Sequence, residues 1–463
     1  MKQLGLTVII ILLAQILLAY SNLNNIDGDY INVFDARIMG MGNCSLTDTK
    51  SVFGKLENPG TTLEKQGLSL QLSFLMHRYH EDRTLPMYNG FDAYTSNATY
   101  ASNLNYFGNV AIGVIYNMKQ INLANFSLNF LGGLIYSPYI DLNANYEEEV
   151  RNNDNSNYDS YPDIIAHNYI ESEGGIESIN LLLHTQINEK TSFGINIRKF
   201  IGKSDYEKRI EWSDFANTQV DSLPIYNTQC HRKFDGIGFN TGFLYQFSKR
   251  LEIGISFSNS VDFEVQGNIN DLALNKSVRY YLGTKIGEEY IIKDSVMYDK
   301  FITPSSFGIG IKYKPRNIMK TEFSFQVKVV NWNDVSKIYD PVLDFYLGVE
   351  HCLENKLPFR FGLKYETNYY LIEYNGFVES NKLTSPAFTF GTGYEIYENF
   401  YLDFSGELGM RKYDSIDMFG DSIYNYEELW GNYTSSLRDR GWENPDTIEE
   451  TYFKTNISLS INY

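Results

Sequence analysis

The sequence predicts an all-β protein, a transmembrane antiparallel β-barrel of about fourteen strands. Three observations carry that expectation. Apolar residues recur with a period of two through most of the chain, so each segment has one greasy and one wet face. These segments run for about 10–14 residues, longer than the about five or six of a soluble strand and long enough for a tilted membrane crossing. Tight turns alternate with long polar connections, the asymmetry of outer-membrane barrels.

The composition fits this class and removes others. The 463 residues include 39 Lys and Arg against 57 Asp and Glu, a formal net charge of −18. Mean hydropathy is negative. Beyond residue 19 no apolar run approaches the roughly 20 residues of a spanning helix. With 37 Tyr and 30 Phe, the chain is too aromatic for a disordered acidic protein. The acidic balance argues against nucleic acid as a partner.

Taken in order, Met1-Lys2-Gln3 is a positive start and Leu4 to Ala19 is almost continuously apolar. Ala19-Tyr20-Ser21 offers small residues for cleavage, so residues 1–21 read as a secretory signal peptide. The expected destination is the cell outer membrane of a diderm bacterium. Cys44, Cys230 and Cys352 form neither a disulfide framework nor a zinc pattern.

Tracking chain direction places strands at 67–77, 94–106, 109–119, 174–187, 191–203, 234–247, 250–266, 303–315, 319–332, 341–352, 357–371, 384–396, 399–412 and 451–463. The tight turns are Tyr106–Asn109, Asn188–Thr191, Ser248–Leu251, Pro315–Met319, Leu353–Leu357 and Tyr397–Phe400. Long connections fall near 78–92, 120–172, 204–233, 267–302, 373–383 and 413–450. Phe126, Leu128, Phe130 and Leu134 also alternate. One more strand would make the number odd, so this segment is read as external loop.

Alternation also assigns faces. Leu251, Ile253, Ile255, Phe257, Val261, Phe263 and Val265 share one greasy side, with Glu252, Asp262 and Glu264 on the other. The same reading puts Glu322, Lys328, Arg360, Lys364, Glu366, Asp403, Glu407 and Arg411 on wet, lumen-facing sides, where opposite charges are expected to pair. Leu182, Val330 and Trp332 are the few apolar lumen candidates. Phe453, Ile457, Leu459, Ile461 and Tyr463 share one face of the last segment. An amphipathic final strand ending in an aromatic looks like the signal by which barrel-assembly machinery recognises its clients.

Several segments resemble the FadL-type outer-membrane transporters of long-chain fatty acids and aromatic hydrocarbons. Thr303-Pro304-Ser305-Ser306-Phe307-Gly308-Ile309-Gly310-Ile311-Lys312-Tyr313 is similar to the family's Pro-x-x-aromatic-Gly-x-Gly strand. Gly348-Val349-Glu350-His351 and Leu357-Pro358-Phe359-Arg360-Phe361-Gly362 resemble its next hairpin, with His351 where the family has Tyr. Ala36-Arg37-Ile38-Met39-Gly40-Met41-Gly42 and Asn58-Pro59 resemble two segments near the family's mature N-terminus, shared with related PorV-type barrels. The resemblance implies fourteen strands over 67–463 and a hatch formed by 22–66 inside the lumen. It also implies ligand capture at external loops, movement of the hatch, and lateral diffusion through a gap in the wall.

The function this implies is passive transport of hydrophobic small molecules across the outer membrane, by a monomer without cofactor, metal or catalysis. The alternatives are a PorV-like secretion component and a structural or adhesive barrel. His77-x-x-His80-Glu81, placed in the first external loop, fits no zinc-enzyme spacing. The acidic run Tyr146-Glu147-Glu148-Glu149, with Asp154, Asp159 and Asp163 beyond it, offers carboxylates for cations that bridge lipopolysaccharide, though such runs are more often soluble loop tips.

Overall fold

The computed structural model describes residues 28–463, apart from 32–33, 89–90, 92, 119–120, 124–125, 153–162, 272–279, 282–283, 286–294, 317–319, 354–356, 375–376, 416–417, 420, 425 and 431–445. The signal peptide expected at 1–21 lies outside the described residues, as do Asp154 and Asp159.

Fourteen strands form the wall. They are β1 (Gly67–Tyr88), β2 (Tyr94–Asn117), β3 (Phe126–Asp141), β4 (Ile164–Asn188), β5 (Thr191–Trp212), β6 (Tyr226–Ser248), and β7 (Leu251–Ser258, continued by Val261–Asp271). There follow β8 (Ser295–Thr303, continued by Ser305–Tyr313), β9 (Glu322–Asn331), β10 (Val342–Leu353), β11 (Leu357–Tyr374), β12 (Phe377–Tyr397), β13 (Phe400–Ser415) and β14 (Asp446–Asn462). Each pairs antiparallel with its neighbour, and β1 pairs β14 from Ser69↔Asn462 to Thr84↔Thr447, closing the ring. A closed ring leaves no open edge, which lets strands cross a bilayer with their backbone groups satisfied.

The greasy faces point outward. Phe359, Phe361, Leu363 and Tyr365 of β11 and Phe323 and Phe325 of β9 are exposed, while Arg360, Lys364, Glu322 and Gln326 are buried inside. Such a belt around a closed antiparallel barrel identifies the wall as membrane-spanning. On β14, Ile457 and Tyr463 face outward on the same side as Phe453, Leu459 and Ile461.

Three expectations need correction. The turn at Tyr106–Asn109 does not exist: 94–117 is one strand, and 126–141 is a strand rather than loop. Alternation runs unbroken through the supposed turn, with Leu104, Tyr106, Val110 and Ile112 exposed and Asn103, Asn105 and Phe107 buried. The two errors cancel, so the number remains fourteen. Second, Val261, Phe263 and Val265 do not continue the face of Leu251–Phe257. They are buried, and Asp262 and Glu264 are exposed. Between Ser258↔Asn240 and Glu264↔Asp235, β7 advances one residue more than β6, and that extra residue at 259–260 reverses the faces. Third, the loops expected at 78–92, 204–233 and 373–383 are largely strand, because β1, β5, β6, β11 and β12 extend far beyond their apolar cores. His77 and His80 therefore lie on β1, and the acidic run 146–149 lies in a strand, Ala144–Arg151.

Candidate functional site

The residues before β1 have little regular structure, so their backbone groups need other partners. One short helix, α1 (Ala36–Gly40), is capped by Asp35, whose carboxylate accepts from Ile38 N at 2.7 Å. It ends at Gly42, whose φ of 65° suits glycine. Elsewhere the wall's inward polar side chains supply the bonds. Ala36 N donates to Ser458 Oγ (2.9 Å) and Gly42 N to Thr389 Oγ1 (3.0 Å). Ser45 N donates to Gln326 Oε1 (3.0 Å) and Val52 N to Gln71 Oε1 (2.8 Å). Asn240 donates to Leu56 O (2.8 Å) and Ser192 to Gly60 O (2.7 Å). These partners sit on β14, β12, β9, β1, β6 and β5, all around the ring.

The resembling motif residues lie in this contact. Ala36, Arg37, Gly40, Met41, Gly42 and Asn58 are buried. Asn58 donates to Leu46 O at 2.6 Å, and Pro59 lies against Gly194 of β5 and Gly242 of β6. Phe53 and Met39 pack with Leu182 and Ile115. Leu182 thus faces inward but supports this segment rather than any open space.

Among the described residues the lumen charges expected from parity fall into four groups, not one network. Arg37 meets Asp48, Glu322 (3.3 Å) and Glu350 (3.4 Å). Glu350 continues to Arg360 (2.7 Å), and Arg360 to Asp403 (2.5 Å). Glu322 reaches Lys314 (3.8 Å), which shares Glu252 (4.0 Å) with Lys312. Lys364 bridges Glu366 (2.9 Å) and Glu407 (2.8 Å). Arg411 bridges Asp29 and Glu450, each at 3.4 Å, and Lys328 meets Glu57 at 3.4 Å. Sequence reasoning missed Asp48, Glu57, Lys312, Glu350 and Glu450. The parity that found Glu322 and Arg360 would have found Lys312, Glu350 and Glu450. The segment's own Asp48 and Glu57 follow no periodicity.

Burial opposes charge on the Arg37 guanidinium, but Glu350, Asp48 and Glu322 outweigh it and hold its pKa well above the ordinary value. Asp35 behaves differently. Burial, with Asp403 and Asp48 nearby, pushes its carboxyl up to about 6. A raised carboxyl stabilises the docked state fully below its ordinary value, and that contribution is lost as pH rises through about 6. The thermal unfolding midpoint should therefore fall between about pH 4 and 7. Asp35→Asn should flatten that part of the profile. An unchanged slope in the variant contradicts the assignment.

Above the segment lies a cavity of about 130 Å³, bordered by Asp29, Tyr30, Glu57, Tyr139, Arg198 and Trp332 among others. Val330 and Trp332 line it. Trp332 keeps the inward parity of β9 and sits where the strand, ending at Asn331, gives way to a 3-10 turn (Trp332–Asp334). Further out, helix α2 (Asp214–Gln219) and residues around Phe419, Tyr424 and Leu429 pack on Tyr146, Ile170 and Ile210, forming an apolar cap. Along β5 the order is Ser192 against the segment, Arg198 at the cavity, and Ile210 in the cap.

The wall has a seam beside the cavity. Among the described residues the β2–β3 ladder runs over Ile112–Asn117 with Leu131–Tyr136, and Met118 N adds a bond to Phe130 O at 2.9 Å. Beyond Tyr136, β3 shifts register against β4 at Pro138–Ile140, and Asp141 and Ile140 pair with Asp29 and Tyr30 of the N-terminal segment. Side chains of β2 span the seam instead of a backbone ladder. Asn105 donates to Asn145 O (3.1 Å), Asn103 exchanges bonds with Glu147 O and N (3.2 and 2.9 Å), and Asn109 donates to Asp141 (3.3 Å). Ser137, Pro138 and Tyr139 at the kink border the cavity. Among the described residues no His, Cys, Asp and Glu cluster as for a metal, and no disulfide joins any of the three cysteines.

No protein-family model matches the sequence, and no characterised protein matches it by sequence. Solved structures match by fold. A Pseudomonas aeruginosa FadL homologue aligns over 94% of this chain and 99% of its own, with TM-score 0.58 and 10% identity. The P. putida toluene transporter TodX aligns over 95% and 99%, with TM-score 0.56 and 13% identity. The Ralstonia pickettii toluene transporter TbuX aligns over 95% and 99%, with TM-score 0.54 and 13% identity. The chain has the fold of these proteins.

Proposed function

We propose that this protein is a passive outer-membrane channel for hydrophobic small molecules, long-chain fatty acids or aromatic hydrocarbons. Residues 22–66 act as its hatch, and the signal at 1–21 exports it to a membrane rich in lipopolysaccharide. The last strand hands it to the barrel-assembly machinery, and it works as a monomer. The observation that carries the reading is a cavity that lies along the wall between the N-terminal segment and the apolar cap, bordered by the β3 kink at Ser137–Tyr139 beside a seam in a lipid-facing wall. The toluene transporters of like fold support it. In this reading a ligand passes the cap, rests in the cavity and leaves sideways between β2 and β3. The seam gives way more readily than a backbone ladder because only a few side-chain bonds of about 0.5–1.5 kcal/mol each cross it among the described residues.

Locking the seam tests the route. In a background with all native cysteines replaced by serine, Asn105→Cys and Asn145→Cys are joined by a short reducible bis-thiosulfonate linker. Uptake of labelled toluene and dodecanoate by cells should fall to the level of cells lacking the gene, and return on reduction. Undiminished uptake while the linker is in place rejects lateral exit here.

A further inference from the structure

We propose that the cavity takes a small single-ring organic anion, an aromatic carboxylate of about benzoate size. The inference rests on the channel reading and narrows its substrate class. It starts from charge. Four cations border the cavity, Arg198, Lys328, Arg411 and Lys454, and four acids, Asp29, Glu57, Asp344 and Glu366. Three of the acids are paired, Asp29 with Arg411 and Tyr79, Glu57 with Lys328, and Glu366 with Lys364, while Asp344 has no cation within ion-pair distance among the described residues and accepts from the Thr367 N–H at 2.8 Å.

Among the described residues two of the cations, Arg198 and Lys454, have no carboxylate within ion-pair distance. Arg198 is 7% exposed, donates only to Leu56 O, and keeps its Nε–H without an acceptor. Trp332, 3% exposed, likewise has a buried indole N–H with no acceptor. A buried donor without a partner is unfavourable. The cavity's unmet demand is therefore for acceptor oxygens and negative charge. A hydrocarbon supplies neither. A carboxylate supplies both and suits a guanidinium in bidentate geometry.

Size and shape set the other end of the ligand. The volume of about 130 Å³ is close to the roughly 150 Å³ of an apolar cavity that admits one benzene ring. A single ring fills that space, whereas a long acyl chain would extend beyond it. Aromatic faces are at hand: Tyr30 packs edge-on against Tyr139 (5.9 Å) and against Trp332 (6.1 Å), and all three border the space. Ring edges and faces of this kind favour an aromatic guest.

Binding to the purified full-length protein in nanodiscs tests this, by calorimetry with sodium benzoate, toluene and sodium decanoate. Benzoate should saturate one site and bind more tightly than toluene or decanoate. Arg198→Gln or Lys454→Gln should each weaken benzoate about tenfold or more while leaving toluene little changed. Trp332→Phe should weaken benzoate by a smaller factor. Toluene binding as tight as benzoate, or benzoate binding indifferent to both cation variants, overturns the proposal. Should a variant not fold, the ligand ranking on the unaltered protein still decides. Gene-dependent uptake of toluene without any benzoate binding overturns the anion reading and leaves the channel reading intact. Saturable benzoate binding without gene-dependent uptake sustains the anion site and removes the channel reading.

Discussion

Replacing Arg37 with alanine should release the N-terminal segment from the wall while the barrel stays folded. Arg37 is buried and faces Asp48 of its own segment, Glu322 of β9 and Glu350 of β10. Removing the guanidinium takes from Asp48, Glu322 and Glu350 the one cation they share, leaving Lys50, Lys55, Lys312, Lys314 and Arg360 around them. Breaking a buried ion pair by deleting one partner costs about 3–5 kcal/mol. Cys44 provides the reading. It is 5% exposed, and burial pushes its thiol upward, so it should resist alkylation. With Cys230 and Cys352 replaced by serine, Arg37→Ala should raise the rate of Cys44 alkylation by about 10²–10³-fold. Arg37→Lys should lie between, since an ammonium cannot satisfy three carboxylates as a guanidinium does. An unchanged rate means these ion pairs do not hold the segment.

The second large effect comes from the wall side. A Cβ on Gly362 of β11 would overlap the backbone nitrogen of Gly42, and one on Gly348 of β10 would overlap the carbonyl oxygen of Met41. Both obstructing atoms are backbone, so no side chain can swing away. Valine favours strand conformation, so Gly362→Val should keep the wall intact and force the segment out. Overpacking typically costs about 1–3 kcal/mol, and more where backbone is obstructed. Cys44 alkylation should rise as in the Arg37 variant, with strand content by circular dichroism unchanged. Gly132→Val is the control, because its nearest obstruction is 3.8 Å away. If Gly132→Val and Gly362→Val behave alike, close backbone approach is not what seats the segment.

These positions show what could be read from the chain beforehand. Strand parity located Glu322, Arg360, Lys364 and Asp403 on the inside because lipid demands an apolar outer face at every second residue. The same demand stops at the membrane surface. There β1, β5 and β6 continue with polar residues on both sides, and periodicity no longer separates strand from loop. Tyr106–Asn109, next to Asn103 and Asn105, looked like a turn by composition. Their inward asparagines instead replace a backbone ladder at the seam, a role that depends on β3 having already turned away. The reversal at Asn259–Ser260 was hidden because one extra residue leaves both flanking segments perfectly alternating. Arg198 and Lys454 were legible as inward positions. What marks them is that no carboxylate among the described residues comes within ion-pair distance, which only the packed cavity reveals.

The central claim is that this barrel passes small hydrophobic molecules without an energy source. The most direct measurement is the initial uptake rate of labelled toluene and dodecanoate by cells lacking the gene and by the same cells carrying it, each before and after collapse of the proton gradient. Faster uptake of at least one of them in the complemented cells, unaffected by the collapse, is the predicted result. Equal rates with and without the gene, or a gene-dependent rate that disappears with the gradient, would contradict it.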